Sequence, residues 1–333
     1  MKKKLRETDF VYANARIRAL ENNMLTKERL LRMLESKLDE DALKVLSECA
    51  YSAVFPLSMP GLEEMLLKTR AALFEDALKM SPDRRIVELF LIRYDYHNLK
   101  AIIKGASASA DYKSSLAFSG RYPCKDLEKM LLESDFRNMP PVMAQAAGEA
   151  KDVLAKTSDP QAADIILDRA CFDEMLSSAE DMKSAFLIKF VKLSVDSVNL
   201  RTAVRLKKMG RGQEFLRRFL LENGTVPASR LFEGVTPELL SQVYSGTVFG
   251  KAAEAGSAAL RGEKGLAALD LECDNAVLSY LKSAKYTAFG EGPLAAYLYA
   301  REAELTAVRI VLTGRLKGLP AERVMESLRD TYV

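Results

Sequence analysis

The chain has 333 residues, of which 29% are charged and 48% hydrophobic, and this is the composition of an ordinary globular protein. Its length exceeds what a single hydrophobic core usually serves, so more than one structural unit is expected. The formal net charge of +3 is too small to indicate a nucleic-acid-binding protein, and no stretch approaches the run of about eighteen apolar residues that a membrane-spanning helix needs.

Only 17 glycines and 11 prolines occur, and alternating strand-like patterns are nearly absent, so we predict a helical protein. In the first third of the chain, Thr26 is a typical helix N-cap, and 81–83 has the pattern of a cap and first turn. Pro56 and Pro60-Gly61 predict a break, and the Gly-, Ser- and Ala-rich stretch 105–115 predicts a link to a second unit. The predicted helices here are 8–21, 28–38, 62–80 and a long one that opens at 81–83.

The middle third repeats this order. Pro123 is expected to begin a helix, Pro140-Pro141 to end one, and Asp159-Pro160 to begin another. A long helix is predicted over 181–208. The Gly-containing stretch 209–212 is expected to end or interrupt it as a linker.

In the last third, Thr236-Pro237-Glu238 predicts a capped helix start. The glycine-rich passage 246–265 predicts a surface loop with short helices. Gly290 to Pro293 is expected to lead into a final long helix, and Pro320 to open a C-terminal helix over 321–330.

Three of the long predicted helices carry one six-residue pattern: an acid, two free positions, Asn or Ala, an aliphatic residue and a base. The copies begin at Asp95, Asp196 and Glu304, about one hundred residues apart. A pattern that recurs three times at nearly one period indicates an internal repeat. Its residues are Asp95, Asn98, Leu99 and Lys100 in the first copy, Asp196, Asn199, Leu200 and Arg201 in the second, and Glu304, Val308 and Arg309 in the third.

Each copy continues an apolar stripe with the spacing of an amphipathic helix, broken only by Ser197 and Arg301. The acid lies beside this stripe, so it needs hydrogen-bond donors, because an unpaired buried charge is costly. We expect Asn98, Asn199 or a base on a neighbouring helix to supply them. Ala307 stands in place of Asn in the third copy, so that acid must use another partner. The base of each copy points elsewhere and does not pair with the acid of its own helix.

A second signal precedes each copy: Leu25-Thr26, Tyr122-Pro123 and Val226-Pro227 each stand shortly before a leucine at a predicted helix start. Together the two signals predict three similar helical units. Their expected bounds are 1–112, 113–216 and 217–333, each close to the usual size of a compact domain.

No catalytic, cofactor-binding or metal-ligating residues are predicted. The single histidine, His97, has Val198 and Thr306 at its position in the other copies, so no shared chemistry depends on it. No phosphate-binding glycine loop occurs in the sequence. The three acids could suggest paired carboxylates for acid–base catalysis, but they lie in different predicted units, and a structural role is favoured.

The four cysteines are widely scattered and form no Cys-x-x-Cys pair, so we expect them to be reduced, semi-buried residues of a cytoplasmic protein. The basic start, 1–4, is followed by no apolar run, so no signal peptide is expected.

In four stretches the sequence resembles the C subunit of the archaeal and bacterial V/A-type ATPase, a family whose eukaryotic members are called the d subunit of the V-ATPase. The stretches are 12–21 (Tyr-Ala-Asn-Ala-Arg-Ile-Arg-Ala-Leu-Glu), 95–100, 196–201 and the C-terminal 301–333. No single stretch is diagnostic, but the series follows the family in order along the whole chain.

This resemblance implies an all-α funnel with pseudo-threefold symmetry around a central cavity, without catalytic residues or cofactors. It implies attachment to the cytoplasmic face of the cell membrane, on the ring of proteolipid rotor subunits, and contact with the D and F subunits of the central stalk. The implied role is to transmit rotation between ATP synthesis or hydrolysis and the movement of protons or sodium ions. A helical-repeat scaffold unrelated to ATPases is the alternative. An all-α enzyme is disfavoured, since the sequence lacks a recognisable catalytic site.

Overall fold

The computed structural model describes residues 6–49, 51–52 and 56–333. Of the chain, 74% is helical, and no β-strand occurs in these ranges. The prediction of an all-α protein is therefore confirmed. Within the same ranges, no helix is both long and apolar enough to cross a membrane. Residues 1–4, on which the expectation about a signal peptide rests, lie outside the described part of the chain.

The described residues form fifteen α-helices, numbered here in chain order. The first eight are α1 (Val11–Glu21), α2 (Lys27–Glu35), α3 (Asp39–Glu48), α4 (Met59–Met80), α5 (Arg84–Ala108), α6 (Cys124–Glu133), α7 (Pro141–Thr157) and α8 (Pro160–Asp181). The other seven are α9 (Ala185–Lys208), α10 (Gln213–Phe219), α11 (Pro237–Tyr244), α12 (Gly250–Arg261), α13 (Leu266–Lys282), α14 (Gly292–Leu316) and α15 (Ala321–Met325). Short 3-10 helices occupy Glu7–Phe10, Lys113–Ser115, Ala228–Leu231 and Ser283–Tyr286.

Three helix starts that capping residues predict are confirmed, and a fourth helix begins slightly later than predicted, because the cap within 81–83 is Asp83 and α5 starts at Arg84. Each capping side chain accepts a hydrogen bond from a backbone N–H two or three residues further along, and so satisfies a donor that the helix leaves free. The four caps are Thr26 for α2, Asp83 for α5, Asp159 for α8 and Thr236 for α11.

Two proline-containing dipeptides, Pro60-Gly61 and Pro140-Pro141, lie at helix starts and are not the breaks that the sequence predicted. Pro60-Gly61 lies in the first turn of α4, which Ser58 caps by accepting from the N–H of Gly61 at 3.2 Å. Pro140-Pro141 begins α7 and ends no helix, since α6 already stops at Glu133. In both places proline occupies a helix start, where its missing N–H costs nothing.

The glycine-rich passages also contain more helix than predicted. Residues 246–265 include α12, a regular twelve-residue helix with a buried alanine face that packs on α11 and α13. Small side chains on that face allow close helix approach, and this tertiary packing outweighs the cost of glycine in a helix. The expected linker 105–115 is helical as far as Ala108. In contrast, α2 ends at Glu35, α9 begins only at Ala185, and α15 covers only part of the predicted 321–330.

The chain divides into two compact units. The continuous unit is Asp83–Val191, and in it α5 packs on α6, α7 and α8, while α7 and α8 pack on each other. The discontinuous unit combines Met1–Pro82 with Lys192–Val333.

The core of the discontinuous unit joins helices from both ends of the chain. Apolar residues of α2, α3 and α4 pack there against α14, with Val324 of α15 beside them. Met33, Leu46, Val308 and Leu312 are among its fully buried members. The first eighty residues therefore share their core with the last thirty.

Candidate functional site: three buried carboxylate junctions

The three signature acids lie on α5, α9 and α14, eleven, eleven and twelve residues after the first residue of each helix. Asp95 and Asp196 are inaccessible to solvent, and Glu304 is nearly so. The aliphatic residues of the pattern, Leu99, Leu200 and Val308, are fully buried one turn further on. Each acid accepts hydrogen bonds from a distant stretch of backbone, and we call each such arrangement a carboxylate junction.

In the first junction, Asp95 holds the backbone that leads into α6. Its Oδ1 accepts from the N–H groups of Arg121 at 2.9 Å and Tyr122 at 3.3 Å. Its Oδ2 accepts from Nε of Arg121 at 2.6 Å, and the same guanidinium donates to Glu174 on α8 at 2.6 Å. Tyr96 also donates its hydroxyl to Glu174, at 2.9 Å. The junction is thus a charged network that ties α5, α8 and the loop before α6 together.

In the second junction, Asp196 holds the corresponding backbone before Pro227, but with neutral donors. Its two oxygens accept from the N–H groups of Thr225 and Val226, both at 3.1 Å. The hydroxyl of Thr225 donates to Oδ2 as well. Thr225 therefore occupies the place that Arg121 has in the first junction.

In the third junction, Glu304 holds the backbone before α2. It accepts from the N–H of Leu25 at 2.7 Å and from the hydroxyl of Tyr51 at 2.6 Å. Arg301, one turn earlier on α14, donates to the same carboxylate and lies 5.0 Å from the ring centroid of Tyr51. Arg301 breaks the apolar stripe in the sequence, and the structure gives the reason: it is the buried counter-charge of Glu304.

Two glycines fit against the acids. A Cβ atom added to Gly120 would overlap Oδ1 of Asp95, and one added to Gly224 would overlap Oδ1 of Asp196. Each glycine stands two residues before the last backbone N–H that the acid binds. Asn23 has this position in the third junction, where the acid is a glutamate with one more methylene group. The shorter aspartate side chains thus require glycine, because the backbone must approach them closely.

The sequence offered two kinds of donor for the acids, Asn98 and Asn199 or a base on a neighbouring helix, and the asparagines prove not to donate to them. Bases do so in two junctions, but from other places than expected: Arg121 from the loop before α6 and Arg301 from the acid's own helix.

Asn98 exchanges two hydrogen bonds with the backbone of Ala117, both 2.8 Å long. Asn199 does the same with Leu221, at 2.8 and 2.7 Å. An amide carries both a donor and an acceptor, so it can mimic a backbone partner for an otherwise unpaired peptide group. Ala307 cannot form this pair.

The bases of the pattern reach other helices. Lys100 pairs with Asp168 on α8 at 2.5 Å, Arg201 with Asp274 on α13 at 2.6 Å, and Arg309 with Glu63 on α4 at 2.6 Å. Acid and base of one copy are therefore anchored on separate partners. Each of the three ion pairs joins a signature helix to a neighbouring helix. The pair of Arg309 with Glu63 is half-exposed, so its contribution to stability is small.

Burial dominates the electrostatics of the acids. Desolvation raises the pKa of Asp95 to about 6, although Arg121 and two backbone N–H groups act in the opposite direction. Burial likewise raises the pKa of Asp196 and of Glu304 against the pull of their donors. Each acid is held by its own set of donors. This geometry suits a fixed structural anchor better than a pair of carboxylates that share a proton.

The other candidate groups lie apart from the junctions. His97 is exposed on α5, with Nε2 2.8 Å from the carbonyl oxygen of Ser115. The cysteines are all free; Cys124 is half-buried, and the others are buried. In the described ranges, no group of His, Cys, Asp and Glu side chains is arranged to hold a metal ion.

Sequence reasoning missed the residues that receive the acids, namely Gly120, Arg121, Gly224 and Thr225. A signal for them exists, since Gly-Arg-Tyr-Pro at 120–123 and Gly-Thr-Val-Pro at 224–227 share the pattern Gly-x-Tyr/Val-Pro. The partners lie twenty-six to thirty residues from their aspartates, so the pattern shows a second repeat but not what it binds.

Comparison with known proteins gives a match to the family model described as "ATP synthase (C/AC39) subunit" over residues 13–327. The C subunit of the V-type ATP synthase of Thermus thermophilus is 27% identical, covering 96% of this chain and 98% of the relative. The C subunit of the V-type sodium ATPase of Enterococcus hirae is 24% identical with the same coverage. The C subunit of the A-type ATP synthase of Desulfurococcus sp. is 24% identical, covering 96% of this chain and 90% of the relative.

Proposed function

Because the chain belongs to the ATP synthase (C/AC39) subunit family, we propose that it is the non-catalytic rotor adapter of a V/A-type ATPase. In this role it links the central stalk, made of the D and F subunits, to the membrane ring of proteolipid subunits. It passes rotation between the two during ATP synthesis or hydrolysis. It lies on the cytoplasmic side, attached peripherally to the inner face of the cell membrane.

The observation that carries the proposal is the order of the three carboxylate junctions. The first acid binds backbone near the start of the second predicted repeat, at Tyr122. The second acid binds backbone near the start of the third repeat, at Val226. The third returns to the start of the first repeat, at Leu25. Three equivalent contacts that close head to tail support pseudo-threefold repetition of the units 1–112, 113–216 and 217–333.

A closed arrangement of three helical units suits a mechanical coupling part. Torque requires a rigid path, and a narrow stalk needs an adapter of intermediate width to hold a wide ring. We therefore propose a funnel around a central cavity that receives the stalk tip, with its base on the ring. Buried anchors at each junction, together with the ion pairs of Lys100, Arg201 and Arg309, would resist shear between signature helices.

The coupled ion is either the proton or sodium. The names of the relatives include a sodium ATPase and ATP synthases. We propose that the ion is chosen by other subunits, since the acids on the signature helices of this chain are held by internal donors.

The test is reconstitution of the ATPase into vesicles with and without this chain, with ATP hydrolysis and ion uptake measured on the same preparation. We expect hydrolysis to persist without the chain and ATP-driven ion uptake to disappear, and adding the purified chain back should restore uptake. Uptake that persists without the chain would refute the adapter role. Loss of both activities would point instead to a part in assembling the catalytic head.

A further inference from the structure

The chain that follows the third signature helix is used differently from the chain that follows the first two. After α5 and α9, the next stretch of backbone supplies donors for the acid of that helix, through Tyr122 and Val226. After α14 it does not, because Glu304 takes its backbone donor from Leu25, 279 residues earlier. The residues beyond α14 are therefore available for another task in the fold.

These residues return to the third junction. A cavity of about 20 Å³ lies there, lined by Leu25 and Glu304 of the junction together with residues 329–332. A space of this size holds a single water molecule, so the C-terminal residues pack closely over the junction. We call residues 326–333, which follow α15 and form no helix, the C-terminal lid.

The near end of the lid is fixed to α13. Nε of Arg329 pairs with Oδ2 of Asp274 at 3.0 Å, and the backbone N–H of Asp330 donates to Oδ1 of Asn275 at 2.9 Å. The other oxygen of Asp274 accepts from Arg201, the signature base of α9, at 2.6 Å. One carboxylate therefore holds both the lid and the second signature helix.

The far end of the lid is anchored by an aromatic ring. Tyr332 is only 4% exposed, and the ammonium group of Lys285 lies 4.6 Å from its ring centroid. Tyr332 also interacts electrostatically with Glu21 and Arg18 of α1. Since the residues between the two anchors line the cavity beside Glu304, the lid runs from α13 to α1 across the third junction.

The lid is held less firmly than the helices around it. It has no helical hydrogen bonds of its own. The side chains of Arg329 and Asp274 are 24% and 34% exposed, so solvent weakens their ion pair. Burial of the Tyr332 ring is then the main contribution. Because segments with few contacts open at a lower free energy than the whole protein, we expect the lid to open before the helices that it covers.

We infer that the C-terminal lid is a conformational device that controls the opening of the third junction. The closed lid keeps solvent from the hydrogen bond between Leu25 and Glu304, and release of the lid lets this bond open. In the first two junctions, 26 to 30 residues of chain tether each acid to its donors, whereas the third joins residues 279 apart. Arg329 and Tyr332 are positioning residues for the lid. This role goes beyond the proposed function and does not depend on it.

The test is hydrogen–deuterium exchange of the purified full chain, measured by mass spectrometry with fragmentation that resolves single amides. One amide reports on each junction, namely Leu25, Arg121 and Thr225. The variant is Tyr332→Ala, and the matched control is Tyr286→Ala, which removes a tyrosine ring that is 93% exposed.

We expect Tyr332→Ala to speed exchange at Leu25 about ten-fold or more, and to leave Arg121 and Thr225 within about two-fold of the wild type. The control should exchange as the wild type does at all three amides. Unchanged exchange at Leu25 in Tyr332→Ala would show that the lid does not guard the junction. Equal acceleration at Leu25 and Thr225 would show that the ring acts only through overall stability, and would overturn the inference as well.

The wild type gives a second measurement, which decides the question even if Tyr332→Ala does not fold. In native-state exchange at low denaturant, the amides of Leu25 and Asp330 should share one free energy of opening, because a single release frees both. It should lie below that of Thr225. A Leu25 amide that stays protected while Asp330 exchanges would contradict the role of the lid, and so would a Leu25 amide that exchanges before Asp330.

Discussion

The carboxylate of Glu304 accepts a hydrogen bond from the backbone N–H of Leu25, 279 residues earlier in the chain, at 2.7 Å. Asp95 and Asp196 accept the same kind of hydrogen bond from backbone N–H groups only 26 to 30 residues away along the chain. The same contact between a carboxylate and the backbone is therefore made at both short and very long sequence separation. Its long-range form ties the N-terminal helices to α14.

Gly120 and Gly224, which lie against the carboxylates of Asp95 and Asp196, should not tolerate a side chain. We expect Gly224→Ala to lower the free energy of unfolding by about 1–3 kcal/mol or more, because the new Cβ overlaps the carboxylate of Asp196. Urea denaturation measures the change. The control is Gly250→Ala in α12, where an added Cβ meets no atom within 4 Å, and we expect it to be neutral or slightly stabilising. Equal effects of the two substitutions would contradict the close fit at Gly224.

The apolar stripe should behave as core. Leu200 is fully buried on α9, so Leu200→Ala should cost roughly 2–5 kcal/mol of unfolding free energy through lost burial and a residual cavity. Leu319→Ala, at a position that is 51% exposed in the same unit, should change stability by less than about 0.5 kcal/mol. A loss below that size at Leu200 would show that the stripe does not carry the core.

The amide pairs should matter independently of the acids. Asn199→Ala leaves the buried N–H and C=O of Leu221 without their partner, and we expect a loss of about 1–3 kcal/mol. Asn98→Ala should have a similar effect at Ala117. Thermal unfolding can compare both with Asn22→Ala, a change at an exposed residue that should leave the melting temperature nearly unchanged. Unchanged melting in all three variants would mean that water replaces the amides.

Stability should depend on pH through Asp95. Its pKa is raised to about 6 in the folded state, against about 3.9 in an unfolded chain. The carboxyl group of Asp95 therefore stays protonated to a higher pH in the folded protein than in the unfolded chain. The stability that this proton binding contributes is fully present below about pH 4 and is lost as the pH rises to about 6. The loss is at most about 3 kcal/mol.

Asp95→Asn removes this titration, so the unfolding free energy of the wild type minus that of the variant should fall between about pH 4 and 6. Urea denaturation at a series of pH values gives the difference. A difference that rises over this range would mean that Arg121 outweighs burial. The burial-raised pKa values of Asp196 and Glu304 contribute in the same direction.

Local patterns predicted the signature helices well, because the apolar stripe and the caps depend on residues a few positions apart. They failed where a residue has two opposite uses. A proline pair can end a helix, but Pro140-Pro141 begins α7. Glycine often marks a loop, but Gly250–Arg261 within the passage 246–265 forms α12, because its small residues pack closely.

The hydrogen-bond partners of the acids could not be predicted from the sequence for a different reason. Arg121, Thr225 and Tyr51 meet their carboxylates only once the chain has folded, over separations of 26, 29 and 253 residues. The sequence showed that Glu304 needed a partner other than Asn, but not that Arg301 on the same helix supplies the charge.

The shared core of α2, α3, α4 and α14 also has a consequence for biosynthesis. The ribosome releases the N-terminal helices first, yet their packing partners Leu305, Val308 and Leu312 emerge only near the end of translation. Nascent chains arrested at residue 291 should thus be cleaved by protease within 6–82 while 83–191 resists. The apolar faces of the first quarter of the polypeptide therefore stay uncovered until the last long helix has been synthesised. A chaperone that shields exposed apolar surface can bind these faces during most of translation.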